Sequence, residues 1–172
     1  RGLSSYLRTL SAKWSPGVDA RKIRFATVIT PDVSPQRKQV FLETIKAAVS
    51  QKNGNFAPRM RTMSTAAEMM FNTNRFWDLE VWELQGEPNT WAAQLEERNR
   101  AQPVFALVSG LGAGRWDPVH DFCERQKVAC WFPSIDAAPA SASKDFYSLY
   151  FSKGVELEAD VLARHLSAAK PT

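Results

Sequence analysis

Residues 104–114 read Val-Phe-Ala-Leu-Val-Ser-Gly-Leu-Gly-Ala-Gly, and the fold prediction starts from this stretch. Val104–Val108 is a continuous apolar run, which is typical of a parallel strand buried on both faces. Ser109–Gly114 follows as a flexible loop. Asp117-Pro118 then caps and opens the next helix. A buried strand, a glycine loop and a helix in this order predict one unit of a parallel α/β sheet.

The rest of the chain also alternates strands with helices. Ser34-Pro35 starts a helix and Asn53-Gly54 is a stop signal, so the first helix is predicted from Pro35 to about Gln51. Its predicted apolar stripe is Val40, Phe41, Thr44, Ile45 and Ala48. Other strands are predicted at Ile23–Thr30, Leu79–Leu84, Val128–Phe132 and Phe146–Phe151. Other helices are predicted at Thr90–Ala101, Val119–Lys127 and Gly154–Ala168, with a turn or two within Ser64–Phe71. The predicted fold class is α/β, a three-layer α/β/α sandwich with a mainly parallel five-stranded sheet.

Three loops are expected to form the functional edge of this sheet. In open α/β sheets, ligands bind beyond the carboxyl ends of the strands, where the strand order reverses. Thr30–Ser34, Ser109–Gly114 and Pro133–Asp136 each follow a predicted strand. Trp116 lies two residues after the glycine loop and is expected on the same edge.

Composition argues against several classes of protein. The chain has 172 residues, is 44% hydrophobic and carries a net charge of +4, as an ordinary globular domain does. No apolar stretch approaches the ~20 residues that span a bilayer, so no membrane span is expected. Basic residues are concentrated before residue 63, but no aromatic stacking platform interleaves them. We therefore expect no nucleic-acid partner.

No pattern in the sequence predicts an enzyme. Gly-x-Ser-x-Gly is absent, and the two histidines, His120 and His165, lie on predicted helices without an evident Ser or Cys partner. No His, Cys, Asp or Glu cluster has metal-ligand spacing, so neither a metal nor another cofactor is expected in this chain. Phosphate binding by the glycine loop is disfavoured, because the acidic Asp117 opens the helix that follows.

The two cysteines, Cys123 and Cys130, leave two alternatives open. In a reducing compartment they would be two small buried residues. In an oxidising compartment they could form a disulfide between a helix and the next strand, if their Cα atoms come within ~7 Å.

From Ile23 onward the chain resembles the amino-terminal lobe of a type I periplasmic binding protein, in the branched-chain amino acid and amide class of ABC-transporter solute receptors. The matching stretches, in order, are Val-Phe-Ala-Leu-Val-Ser-Gly-Leu-Gly, Pro-Val-His-Asp-Phe-Cys-Glu-Arg, Val-Ala-Cys-Trp-Phe-Pro-Ser-Ile-Asp and Phe-Tyr-Ser-Leu-Tyr-Phe-Ser. The resemblance implies that residues 20–172 form this lobe and that a second lobe is missing. It also implies a small-molecule solute of amino acid, amide or amine type, and a membrane transporter as partner.

Residues 1–19 form an amphipathic stretch plus a linker, and Leu-Ser-Ser-Tyr-Leu-Arg-Thr-Leu-Ser resembles the terminal helix of a c-type cytochrome domain. This resemblance implies haem c in a preceding domain, which would be a second possible partner. This chain lacks Cys-x-x-Cys-His and is expected to carry no haem. Both resemblances imply export to the periplasm, which favours a disulfide between Cys123 and Cys130.

The resemblance also implies which residues would bind the ligand. The loop after the third strand supplies Gly112 and Ala113, without the serine that the family usually has there. The loop after the fourth strand supplies Ser134 and Asp136, and Trp116 would be an apolar wall. An aspartate can hold an amine and repels a carboxylate. Two alternatives stay open: an interaction or dimerisation module of an exported electron-transfer protein, and a flavodoxin-like cofactor domain.

Overall fold

The structure is a computed structural model that describes residues 14–62, 75–143 and 145–168. These residues form an α/β fold. Its strands are β1 (Lys22–Ile29), β2 (Phe76–Glu83), β3 (Ala106–Val108), β4 (Ala129–Trp131) and β5 (Ser148–Leu149). Its α-helices are α1 (Pro35–Thr62), α2 (Pro88–Ala101), α3 (Asp117–Gln126) and α4 (Val155–Ala168). Ala140–Ser143 is a short 3-10 helix.

The five strands form one sheet in the order β2-β1-β3-β4-β5. Every neighbouring pair is parallel, as predicted. The long pair β1–β2 runs in register from Lys22 opposite Phe76 to Ile29 opposite Glu83. The chain moves from β1 outward to β2 and then returns across β1 to β3, so the strand order reverses between β1 and β3. Right-handed crossovers therefore place α1 on one face of the sheet, and α2 and α3 on the other.

The hydrophobic core lies between the sheet and the pair α2–α3. The sheet contributes Ala26, Val28, Leu107 and Trp82, and the helices contribute side chains such as Trp91, Leu95, Val119 and Phe122. These side chains are almost completely buried. The alternation of strand residues explains the arrangement, since every second side chain of a strand points to the same face.

Helix α1 continues past its predicted end. Ser34 starts it as expected, its hydroxyl accepting a hydrogen bond from the Arg37 N–H at 3.4 Å. However, the helix runs through Asn53-Gly54 to Thr62. Asn53 does not end the helix: its side-chain amide donates to the Trp77 carbonyl at 2.8 Å, and its side-chain oxygen accepts from the Trp77 N–H at 2.9 Å. The prediction of a helix end near Gln51 is wrong because a tertiary contact overrides the local stop signal.

The buried side of α1 also differs from the predicted stripe. Val40 is 64% exposed, and Thr44 and Ala48 are exposed as well. The half-buried apolar side chains are instead Phe41, Leu42, Ile45 and Val49. The apolar face of α1 is therefore rotated about the helix axis relative to the predicted face.

The carboxyl-terminal part of the described chain is largely exposed to solvent. The predicted strand Phe146–Phe151 is reduced to the two residues of β5. Helix α4 begins one residue after its predicted start and ends at Ala168 as predicted, but its residues from Val155 to Ser167 are all exposed. The predicted helices within residues 1–13 and 64–71 lie outside the described residues. Among the described helices, none is long and apolar enough to cross a membrane.

Candidate functional site

The loops after β1, β3 and β4 are joined to one another by backbone hydrogen bonds. The Leu111 N–H donates to the Val28 carbonyl at 2.8 Å, and the Thr30 N–H donates to the Leu111 carbonyl at 3.0 Å. The Ser134 N–H donates to the Gly110 carbonyl at 2.6 Å, and the Gly112 N–H donates to the Ser134 carbonyl at 3.2 Å. The structure thus brings Gly112 and Ser134 together at the carboxyl edge of the sheet, beside the point where strand order reverses.

Two residues in left-handed backbone conformation lie where β3 and β4 end. Ser109 has φ 48° and Phe132 has φ 52°, a conformation that costs energy in residues other than glycine. Across Ser109 the pairing of β3 with β1 shifts by one residue: Phe25 lies opposite Ala106, but Ile29 lies opposite Leu111. This is a bulge, and bulges redirect the chain next to functional sites.

The glycines of the loop make room for Trp116. A Cβ atom at Gly110 would lie 2.4 Å from the Trp116 ring, and one at Gly112 would lie 3.0 Å from it. Trp116 is only 5% exposed and belongs to the hydrophobic core. Trp116, the predicted apolar wall of the cleft, therefore lies beneath the loop in this lobe. The indole supports the loop from there.

An acidic side chain from the first loop contacts the glycine loop. Asp32 Oδ1 accepts a short hydrogen bond from the Thr30 hydroxyl and one of 3.4 Å from the Ala113 N–H. A Cβ atom at Gly114 would lie 2.5 Å from Asp32 Oδ2. The sequence analysis missed Asp32 as a site residue. Its signal was its position, two residues after the first predicted strand and at the reversal of strand order.

Asp136 follows β4 in the chain, and its backbone contacts the residues that start α4. Its carbonyl accepts a hydrogen bond from the Val155 N–H at 2.9 Å, and Ala137 forms an antiparallel bridge with Gly154. Gly154 has φ +65°, and a Cβ atom there would lie 2.2 Å from the Asp136 carbonyl oxygen. The Ser134 and Asp136 residues are exposed, so both side chains are available to a solute.

The two cysteines are joined in the structure. Cys123 on α3 and Cys130 on β4 form a disulfide, with Cα atoms 6.1 Å apart. Both residues are buried. The distance lies within the range that disulfide geometry requires.

A polar cluster around the buried His120 links α3 to the segment before α4. His120 Nε2 lies 2.7 Å from Asp145 Oδ2, and His120 Nδ1 lies 2.8 Å from the Tyr150 hydroxyl. Next to them, Glu124 accepts hydrogen bonds from the Phe146 and Tyr147 N–H groups and, at 2.8 Å, from the Ser148 hydroxyl. No group of three metal-ligand side chains occurs within the described part of the chain.

The cluster shifts the pKa values of two of its members in opposite directions. Partial burial raises the pKa of Glu124, but the hydrogen bonds from Tyr147, Ser148 and Phe146 outweigh burial and lower it below its ordinary value of 4.5. Burial raises the pKa of the Tyr150 hydroxyl well above its ordinary value. Tyr150 therefore stays protonated and Glu124 stays ionised at neutral pH.

The fold is similar to that of a solved structure. It is described as a possible leucine/isoleucine/valine-binding protein from Rhodopirellula baltica SH 1, with a TM-score of 0.56 and 14% sequence identity. The match covers 92% of this chain and 38% of that chain, so this chain spans little more than a third of the similar structure. No protein-family model and no curated protein matches the sequence. At this identity the similarity confirms the predicted α/β fold and supports the resemblance to a solute-binding lobe at the level of the fold.

Proposed function

We propose that this chain is one lobe of an exported two-lobed solute receptor, which captures a small polar solute at the carboxyl edge of the sheet. One observation supports this most. Backbone hydrogen bonds join the loops after β1, β3 and β4 at the point where strand order reverses. Crevices form at such reversals, and ligands bind there in open α/β sheets. The exposed Ser134 and Asp136 supply polar groups at this edge.

In such a receptor the solute binds to one lobe, and a second lobe then closes over it through a hinge. The similar solved structure is more than twice as long as the part that this chain matches, which fits a missing lobe. Closure would pass the signal to a membrane transporter or to a haem c domain preceding residue 20. The disulfide between Cys123 and Cys130 supports export to the oxidising periplasm.

A second candidate function, an interaction or dimerisation module, is favoured by exposed apolar side chains near β5. Phe146 is 84% exposed and Phe151 is 83% exposed. Phe151 stacks on Phe132 with ring centroids 4.3 Å apart. Helix α4 adds the exposed side chains Val155, Leu157, Val161, Leu162 and Leu166. Exposed apolar side chains in such number mark sites where proteins associate.

Thermal unfolding of the chain with four solutes that share one branched side chain tests capture. The solutes are leucine, leucinamide, 3-methylbutylamine and 4-methylpentanoate, which differ only in their charged and polar groups. A solute at ~100 times its dissociation constant adds about 2.7 kcal/mol to the free energy of unfolding, and we expect at least one to raise the midpoint by several degrees. A folded chain whose midpoint is the same with all four solutes contradicts capture. Under those conditions, a dimer mass from light scattering would support the interaction module.

A further inference from the structure

The glycine loop already holds a carboxylate, and that carboxylate belongs to the protein. Asp32 Oδ1 accepts hydrogen bonds from the Thr30 hydroxyl and the Ala113 N–H. Backbone N–H groups in glycine-rich loops form concavities that attract anions. In this chain, the Ala113 N–H that a ligand carboxylate would need already donates to Asp32.

The glycine spacing follows from the same internal contacts. Gly114 accommodates Asp32, because a Cβ atom there would come within 2.5 Å of Oδ2. Gly112 accommodates Trp116 and Thr30, since a Cβ atom there would lie 3.2 Å from the Thr30 hydroxyl oxygen. The glycines are therefore explained without a ligand that approaches the backbone. What the loop presents to solvent is the carboxylate of Asp32, which is an exposed residue.

A second carboxylate near Asp32 would be repelled, whereas an ammonium group would be attracted. Both effects are stronger near a protein surface than in bulk water, because the effective dielectric constant is lower there. The hydrogen bonds from Thr30 and Ala113 both end on Oδ1. A carboxylate has about four lone-pair sites, so Oδ2 can accept a ligand N–H while the loop contacts persist.

We infer that Asp32 is a specificity-determining residue, which excludes solutes that present a carboxylate to the glycine loop and selects those that present an ammonium group. This inference rests on the proposed function, because it concerns the solute captured at the same edge. It differs from the expectation for Asp136, whose backbone is tied to the start of α4.

The test is an NMR titration of the 172-residue chain with 3-methylbutylamine and, separately, with 4-methylpentanoate. The two probes share their carbon skeleton apart from the charged group. The readout is the amide shifts of Ala113 and Gly114. For the wild type we expect the amine to bind at least about tenfold more tightly than the carboxylate.

Two variants separate the charge of Asp32 from the space that it fills. Asp32→Asn keeps the shape and removes the charge, and we expect it to lose the preference for the amine. Asp32→Ser also frees the Ala113 N–H, and we expect it to bind 4-methylpentanoate more tightly than the wild type does. Glu97→Gln, on an exposed residue in the second half of α2, is the matched control for loss of one negative charge. Its preference should equal that of the wild type.

The outcomes distinguish this inference from the proposed function. Equal binding of both probes by the wild type, or an unchanged preference in Asp32→Asn, overturns the role of Asp32 while capture itself stands. A folded wild type whose Ala113 and Gly114 amides respond to neither probe overturns both capture at this edge and the role of Asp32. If Asp32→Ser fails to fold, the isosteric Asp32→Asn still decides between charge selection and its absence.

Discussion

The buried imidazole of His120 joins helix α3 to the carboxyl group of Asp145 at 2.7 Å and to the hydroxyl of Tyr150 at 2.8 Å. An ionised carboxylate only accepts hydrogen bonds, so the Nε2–H group of His120 donates to Asp145. Nδ1 pairs with the Tyr150 hydroxyl on the other side of the ring. His120 is 1% exposed, so water cannot replace a lost partner without entering the core. The segment that carries Asp145 and Tyr150 is thereby fixed to α3.

Removal of the Tyr150 hydroxyl should destabilise the fold. In Tyr150→Phe the buried Nδ1 of His120 loses its partner, and an unsatisfied buried polar group costs about 1–3 kcal/mol. Urea unfolding followed by tryptophan fluorescence measures the loss. Tyr147→Phe removes a hydroxyl from a neighbouring tyrosine and should cost clearly less. Equal losses in the two variants would contradict a specific role for the bond between Tyr150 and His120.

Glu124 should make stability depend on pH in the acidic range. Its pKa is lower in the folded protein than the ordinary value of 4.5, so the unfolded chain binds the proton more tightly. The stabilisation is therefore complete above the ordinary pKa and is lost as pH falls through the folded pKa. Glu124→Gln removes the charged acceptor of three donors, and it should cost about 1–3 kcal/mol at neutral pH.

The pH dependence is measured as the free energy of unfolding in urea between neutral pH and about pH 3. The difference between the wild type and Glu124→Gln should shrink as the pH falls. Glu97→Gln provides the comparison for loss of a carboxylate from an exposed helical site. A constant difference between wild type and Glu124→Gln at every pH would show that Glu124 acts through packing alone.

The disulfide between Cys123 and Cys130 should be present in protein that is produced with export. Its intact mass should then be lower than the reduced mass by two hydrogen atoms, and reduction should restore them. A bridge over such a short loop contributes about 2–3 kcal/mol in the chain-entropy model, so reduction should lower the unfolding midpoint. Two free thiols in exported protein would contradict both the bridge and its contribution.

Two glycine-to-alanine substitutions should change stability in opposite directions. Gly54 lies within α1, and a Cβ atom there would meet nothing within 4 Å. Gly54→Ala should therefore stabilise the protein by about 0.5–1 kcal/mol through helix propensity. At Gly110 a Cβ atom would lie 2.4 Å from the buried Trp116 ring, and Gly110→Ala should destabilise by about 1–3 kcal/mol through overpacking. Chemical unfolding of both variants provides the measurement. A destabilising Gly54→Ala would mean that α1 ends where the local stop signal predicts.

Most of the secondary structure could be predicted because its signals are local. The apolar run at Val104–Val108 contains β3, and Asp117-Pro118 opens α3. Ser34 starts α1 through its own side chain. The alternation of strands and helices then limits the arrangement to a parallel sheet, and short right-handed connections limit it further. These features depend on residues within a few positions of each other along the chain.

The errors lie where distant residues meet. Asn53-Gly54 has the composition of a helix stop, yet the Asn53 amide exchanges two hydrogen bonds with Trp77, which is 24 residues away. Trp116 follows the glycine loop in sequence, and its indole packs beneath Gly110 and Gly112. Neither contact has a signature in local sequence. An Asn-Gly pair can end a helix or continue it, and a tryptophan after a loop can be exposed or buried, depending on what the rest of the fold places beside it.

The fold class of this protein follows from periodicity and turn chemistry in the amino-acid sequence, since each strand and helix must bury a face that its own residues define. The tertiary structure alone decided what occupies the glycine loop. Asp32 and Ala113 are 81 residues apart in the chain, and only the reversal of strand order between β1 and β3 brings them into contact. Charge at the proposed binding edge is therefore a property of how two loops meet, because electrostatic interaction depends on distance in space and not along the chain.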